Sequence, residues 1–326
     1  MSFQRITLRL LVTGVIFCLV VIGYTVYEYK QLAQQWYVPI DGQTVDTADG
    51  AGSTAKADQP QREVLAGKVP LDPFVLLILG VDSRDGEAAR SDTMLLAAVN
   101  PGKQSAYLIS IPRDSYLDIP GKGYDKVNHA MAFGGPKLVK QSLESFLGIR
   151  IDRYVTVDFE GFRQIVDQLG GVTVDVQKRM KYSDPTDDTY IDLSPGVQKL
   201  SGEQALDYAR YRMSDLGAED SDYERIARQQ EIIRALATEA ASSKALTNLY
   251  PLLEIVGQHV KTDLTEGEIA SLLLSFGTSG TNQVQTDTLR GRDERIWHNG
   301  VLGWYHLVTK DERQRVRKQL EQALIP

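Results

Sequence analysis

Apolar residues occur along this chain in three arrangements, and each predicts a different element. Short continuous runs mark buried strands. Residues 74–81 (FVLLILGV) form one and end at Asp82. Residues 94–99 and 106–111 form two more, and the Asn100-Pro101-Gly102-Lys103 between them is a turn signal, so the pair predicts a hairpin. Strands over 154–157 and 172–176 bracket a helix over 159–169, which Gly170-Gly171 stops. Helical spacing is the second arrangement. Residues 135–147 place Leu138, Val139, Leu143, Phe146 and Leu147 on one side, and a short helix follows over 201–211. Ser221-Asp222-Tyr223-Glu224 is a capping box opening a long helix to about residue 241, and Thr265-Glu266-Gly267-Glu268 opens another to residue 276. Further helices are predicted over 246–256 and 310–324, with a late strand over 283–289. Alternating strands and helices, with hairpins among them, predict an α/β fold: one mixed central sheet covered by helices, an α/β/α sandwich.

The third arrangement is a single uncharged run over 10–27, which as a helix nearly crosses a hydrocarbon core of roughly 30 Å. Arg5 and Arg9 precede it, so the positive-inside bias keeps the N-terminus cytoplasmic. Tyr27-Glu28-Tyr29-Lys30 offers no small-residue cleavage site, which favours a retained anchor over a signal peptide. Residues 38–70 are rich in Asp, Gly, Ala, Thr and Gln, with few large apolar residues, and read as a tether. The expected organisation is a cytoplasmic segment 1–9, a transmembrane anchor 10–30, a flexible extracytoplasmic linker 31–70 and a domain 71–326. That places the protein in the cell membrane, single-pass, with its domain outside.

Charge and cysteine narrow the chemistry. A net charge of −7 argues against a general nucleic-acid binder, which needs a basic face. The single cysteine, Cys18, lies in the apolar run, so the chain has no internal disulfide and no cysteine cluster for zinc. The four histidines are scattered, without zinc-motif spacing or a recognisable triad context, and no Gly-x-Ser-x-Gly elbow stands out.

Against this acidic background, arginines interleaved with aspartates recur in four motifs: Gly80-Val81-Asp82-Ser83-Arg84, Arg90-Ser91-Asp92-Thr93, Ile111-Pro112-Arg113-Asp114, and Tyr208-Ala209-Arg210-Tyr211-Arg212 followed by residues 222–230. Guanidinium groups bind phosphate bidentately, and neighbouring carboxylates can hold a divalent metal, so convergence of these motifs makes a pyrophosphate site. Asp82 and Asp92 flank neighbouring strand ends and suit a shared magnesium, although each alone also fits a turn cap. Arg113 follows the third strand and opens onto the same edge. Lys126 and Asn128 lie in a polar patch and can contact phosphate, whereas His129 reads as structural. Asp222, Arg225 and Gln229, spaced three and four apart, share a helix face, and Arg225 and Arg228 sit in a helix start that favours anions. Trp297, Trp304 and Tyr305 read as packing, with acceptor binding the alternative.

Taken in order, these motifs resemble the LytR–CpsA–Psr family of bacterial cell-wall proteins, with the match running from about residue 74 to 230. The resemblance implies an LCP-like α/β sandwich with an apolar channel for a polyprenyl chain. It implies a phosphotransferase: transfer of an anionic glycopolymer, a wall teichoic acid or capsule-like polymer, from polyprenyl pyrophosphate to peptidoglycan. By position, Asp82 and Asp92 resemble metal ligands for Mg²⁺ (or Mn²⁺). Arg90, Arg113, Arg210, Arg212, Arg225 and Gln229, with Asp222 beside them, resemble the pyrophosphate-binding and catalytic set, and Arg84, Lys126, Asn128 and Arg228 are further candidates for phosphate contact. Residues 213–221 are longer than the family pattern, which leaves the placement of Asp222 open. The rivals are a polyprenyl-pyrophosphate phosphohydrolase and a non-enzymatic lipid-glycan scaffold or regulator. With about nine residues ahead of the apolar run, no cytoplasmic DNA-binding module is expected.

Overall fold

The computed structural model describes residues 36–40, 71–82, 90–186, 189–217, 219–240, 249–276 and 284–325. The expected anchor over 10–30 and Arg84 lie outside the described residues. Among those described, no helix is long and apolar enough to cross a membrane.

The uninterrupted apolar run becomes β1 (Phe74–Asp82), buried on one face and partly buried on the other, in the interior of the central sheet. It pairs antiparallel with β2 (Arg90–Asn100), which returns through the expected turn to β3 (Ser105–Ser110). On its other side β1 runs parallel to β6 (Arg153–Asp158). With β11 (Val260–Thr262) and β12 (Val284–Thr288) at the edges, the sheet is six-stranded and mixed, in the order β11-β6-β1-β2-β3-β12.

Strand alternation divides the core. Val75, Leu77, Leu79 and Val81 face the larger cluster, closed by α1 (His129–Leu147) and α7 (Lys310–Ala323). Each fully buried Leu or Val there contributes roughly 1.5–3 kcal/mol. Phe74, Leu76 and Ile78 face the other way, toward Ile233 of α4 (Asp222–Ala240) and, beyond α5 (Leu249–His259) in the chain, Ile269, Leu272 and Phe276 of α6 (Glu266–Phe276). That second face is looser, because many of its apolar side chains are only partly buried. A third cluster joins α2 (Phe159–Gln168), α3 (Gly202–Arg210) and α4 to β7 (Val172–Val176) through Val166, Val172, Leu200, Tyr208 and Ile232.

Three features depart from the sequence expectation. The strands do not all join one sheet: β7 pairs with β10 (Gly196–Leu200), and β4 (Tyr116–Ile119) with β5 (Gly123–Lys126). β8 (Met180–Asp184) pairs with β9 (Thr189–Leu193), and β13 (Arg292–His298) with β14 (Val301–Leu307). Apart from β7, which was expected as a strand, most members of these short pairs carry too many polar residues to read as buried strands. Next, α1 begins at His129 but breaks at Gly134 and Gly135 (φ 64°), and Pro136 restarts it. Proline suits a first helical turn, which is why only the second part was legible. Lastly, Trp36 to Ile40, within the expected linker, lies against the domain: Trp36 is 1% exposed, the Val38 amide donates to Thr262 O at 2.8 Å, and Tyr154 Oη donates to Val38 O at 2.6 Å.

Candidate functional site

Three chain ends meet beside the sheet. The first is where β1 gives way to β2. Gly80 faces Thr93 but Val81 faces Ser91, so Asp92 is the extra residue of a β-bulge. Bulges re-aim side chains, and Asp92 accepts from Arg113 Nη1 at 2.7 Å. Asp82 closes β1 opposite Arg90. The second is the segment after β3, where Arg113 emerges next to Asp114. Asp114 pairs with Lys126 Nζ at 2.9 Å, and the Asn128 amide donates to Arg113 O at 3.2 Å. The third is the start of α4, capped as expected: Ser221 Oγ accepts from the Glu224 amide, and Glu224 Oε2 accepts from the Ser221 amide.

Gln230 fixes α4 over the sheet. It stands in the otherwise apolar stripe Ile226, Gln230, Ile233, and its amide donates to Ser110 Oγ and Asp287 O at 2.9 Å each. This ties the third turn of α4 to the ends of β3 and β12, and Arg225 near the helix start comes close enough to Arg113 for their charges to interact. A polar residue in an apolar stripe was the signal that sequence reasoning passed over.

Asp222 falls within the cluster despite the long preceding loop. The Asp220 amide donates to Arg212 O at 2.8 Å, closing that loop on itself. Asp222 Oδ1 then lies 3.3 Å from Arg225 Nη2 and 3.6 Å from Arg212 Nε. Arg225 is 7% exposed. Burial lowers its pKa, and the charges of Arg113 and Arg212 add to the effect against Asp222 and Asp92. For Arg113 burial acts the same way, but Asp92, Asp114 and Asp222 outweigh it and raise the pKa. Arg113 Nε, Arg212 Nε, Arg225 Nε, Asp222 Oδ1 and Asn128 Oδ1 are all buried without a hydrogen-bond partner. Unpaired buried polar atoms are costly, and their concentration at one place marks a site shaped for a ligand. Three guanidiniums facing one another, beside a helix N-terminus, suit an anion with several oxygens.

Other expected residues lie elsewhere. Arg228 is a structural arginine: Nε donates to Tyr208 O at 2.9 Å, Nη1 pairs with Asp220 Oδ2 at 2.6 Å, and Nη2 donates to Tyr211 O. Asp220, 4% exposed, also takes Lys178 and was not anticipated. This differs from the expected phosphate contact at Arg228: each of its three nitrogens already donates within the protein, and the residue is 7% exposed. Gln229 reaches Ala209 O at 3.5 Å. α3 ends at Arg210, which lies over the Phe159 ring with 5.0 Å between guanidinium carbon and centroid, while Arg212 follows in extended chain and joins the cluster. Arg90 is placed by its backbone opposite Asp82. His129 pairs with Asp125 at 2.9 Å, a structural role. Tyr305 is buried, but Trp297 and Trp304 are 73% and 58% exposed, so packing does not account for the two tryptophans.

One titration is expected beside this site. Burial lifts Asp207 of α3 to about 6, with Glu203 adding and Arg210 and Arg163 opposing. The folded value stands above the unfolded one of about 3.9, so stability is full below that value and declines as pH rises through 6. Asp207→Asn is expected to add roughly 1–2 kcal/mol at pH 7–8 after solvent screening, and nothing near pH 4. Melting curves at the two pH values check this; an equal gain at both contradicts it.

The fold and the cationic site define a phosphate-handling α/β sandwich protein. Residues 40–322 match the LytR_cpsA_psr family, and the chain belongs to that family. It is 35% identical over 285 residues to the polyisoprenyl-teichoic acid–peptidoglycan teichoic acid transferase TagU of Oceanobacillus iheyensis, covering 86% of this chain and 85% of the relative. TagU of Bacillus subtilis is 33% identical over 273 residues, covering 83% and 84%. Among solved structures, TagT bound to LIIa-WTA superposes with a TM-score of 0.62 at 34% identity, covering 79% of this chain and 92% of that one. YwtF (TagT) with bound octaprenyl pyrophosphate lipid superposes at 0.59 with 31% identity, covering 78% and 91%.

Proposed function

We propose that this chain transfers an anionic glycopolymer from a polyprenyl-pyrophosphate carrier to peptidoglycan, leaving a phosphodiester link. The observation that carries this reading is the cluster of Arg113, Arg212 and Arg225 around Asp222, whose enclosed Nε–H groups lack partners and suit a pyrophosphate. Relatives named as teichoic acid transferases, and a similar structure holding octaprenyl pyrophosphate, support it. The loosely covered sheet face at Leu76, Ile78 and Val155 is the apolar surface available to a prenyl chain.

In the reaction, a peptidoglycan hydroxyl oxygen attacks the phosphorus nearer the glycan. The new P–O bond forms as the bond to polyprenyl phosphate breaks, and the hydroxyl proton passes to a carboxylate, for which Asp222 and Asp82 are the candidates. Arg113, Arg212 and Arg225 hold the phosphate oxygens and neutralise the charge that builds there, the main work of a phosphoryl transferase. Asp82 and Asp92, hard oxygen donors at neighbouring strand ends, fit a magnesium or manganese ion that takes few carboxylates. Such an ion would add to charge neutralisation on the phosphate. In this reading residues 10–30 anchor the chain, with the N-terminus cytoplasmic and the domain outside.

The test uses the full chain in detergent with a synthetic polyprenyl-pyrophosphate glycan, peptidoglycan oligomers and magnesium. A glycan–phosphate–peptidoglycan adduct by mass spectrometry, lost with EDTA, is the expected result. Release of polyprenyl phosphate with no adduct makes the enzyme a hydrolase. Tight lipid binding without turnover makes it a carrier.

A further inference from the structure

The two exposed tryptophans lie on the β13–β14 hairpin. Its loop is Asn299 and Gly300, both at positive φ (49° and 77°), a turn that matches strand twist and pins the register. Trp297 stands opposite Leu302, and Arg295 opposite Trp304. Residues opposite or diagonal on paired strands share a face, so both indoles project on one side. The Arg295 guanidinium carbon lies 5.8 Å from the Trp304 ring centroid. The indoles offer about 300–500 Å² of ring surface, the scale at which exposed apolar area marks an interaction site. The hairpin's other face is already used, since His298 and Tyr305 pack edge-on against Tyr116.

Charge decides what fits the open face. Asp293, at its base, is engaged with His306 at 2.8 Å, and Glu294, on the other face, pairs with Arg292 at 3.0 Å. Beyond Asp293 and His306 the open face carries two indoles, Leu302 and one cation, with no carboxylate or amide. A sugar needs hydrogen-bonding groups beside the rings to hold its hydroxyls. The headgroup layer of a bilayer takes the combination present here: rings that leave water, with indole N–H and guanidinium left at the level of phosphate.

Topology gives the direction. β1, β3, β6 and β12 run parallel, so they end on one side of the sheet, and β13 follows the end of β12. The Trp36 to Ile40 segment is parallel to β11 where Tyr37 meets Thr262, and β11 is antiparallel to β6. Followed back from Ile40 to Trp36, the chain therefore heads toward that same end. Under the proposed anchorage, the membrane run and the tryptophan hairpin leave the domain on one side. The hairpin base is also fastened beside the phosphate cluster: Tyr223, next to Asp222, donates from its Oη to Gly291 O at 3.4 Å and accepts from the Gly291 amide at 3.3 Å.

We propose that the Trp297–Trp304 face rests in the headgroup layer of the bilayer, a second membrane contact in addition to the anchor. The inference rests on the proposed anchorage and is independent of the transfer reaction.

Fluorescence tests it in the full chain. The chain has three tryptophans, and Trp36 is 1% exposed. A double variant, Trp297→Gln with Trp304→Gln, isolates the Trp36 emission, and melting temperature serves as the fold control. Both chains are reconstituted in vesicles of phosphatidylglycerol and phosphatidylcholine, with or without phospholipid brominated near the headgroup end of its acyl chains, and with neither donor nor acceptor added. Brominated lipid is expected to lower the parent emission by roughly half, with most of that quenching lost in the double variant. Equal fractional quenching in the two chains overturns the proposal. The parent alone decides if the variant misfolds: vesicles should shield both exposed indoles from iodide in the water, and free access of iodide to them overturns the proposal. Shielding that appears only when peptidoglycan fragments are added assigns the face to a glycan and overturns it as well. An alkaline carbonate wash reads the anchor separately. A chain retained but unquenched keeps the anchor and loses the hairpin contact; a chain quenched in vesicles but washed off does the reverse.

Discussion

Arg113→Ala is expected to lower kcat for transfer by about 10²–10³-fold, the usual cost of one preorganised charge-stabilising donor, while the protein still melts cooperatively near the parent temperature. Arg113 is the hinge of the cluster. It holds Asp92 of the β2 bulge at 2.7 Å, and its charge presses on Arg225. Its removal takes away both a phosphate ligand and the brace that aims Asp92. Stability should suffer little, because Asp92 is 36% exposed at its side chain and water replaces the lost partner. Arg113→Lys keeps the charge but loses the planar fork, so it should remain strongly impaired. Near-normal turnover of Arg113→Ala under saturating donor would remove this residue from the chemistry.

Arg228→Ala is expected to fail in the opposite manner. Breaking a buried ion pair from one side leaves the other charge stranded, at a cost of about 3–5 kcal/mol. Asp220 would keep Lys178 but lose Arg228, and the carbonyls of Tyr208 and Tyr211 would lose their donor. The melting temperature should fall by roughly 6–20 °C. Activity per folded molecule should be largely retained below the transition. An unchanged melting curve with weakened donor binding would return Arg228 to the phosphate site. The pair of experiments separates two arginines three residues apart on one helix, Arg225 facing the ligand site and Arg228 facing the core.

That separation marks the limit of what the chain discloses in one dimension. The central strands, the capped helices and the turn at Asn100 to Lys103 were legible because periodicity and capping act over a few residues. The candidacy of Arg113, Arg212 and Arg225 was legible because phosphate chemistry calls for those residue types, whereas Arg210 and Arg228, equally suited by type, lie elsewhere. What each guanidinium faces was not. Arg225 and Arg228 look alike in sequence, and only the fold-back of the loop after Arg212, which brings Asp220 under the helix, distinguishes them. Gln230 was hidden for the same reason, since its partners come from β3 and β12, far off in sequence. Apart from β7, which was read as a strand, the members of the short two-stranded pairs escaped notice because their stability comes from packing on neighbours rather than from an apolar run.

The Trp36 to Ile40 segment bears on mechanics. By docking on β11 it covers part of an edge strand that would otherwise be open to pairing. Under the proposed anchorage it also shortens the leash. A linker of forty residues would let the domain roam on the order of 100 Å from the bilayer, whereas the five residues ahead of Trp36 span at most about 18 Å. The domain would then work at one height and one orientation above the lipid surface, so that carriers diffusing in two dimensions meet a stationary mouth.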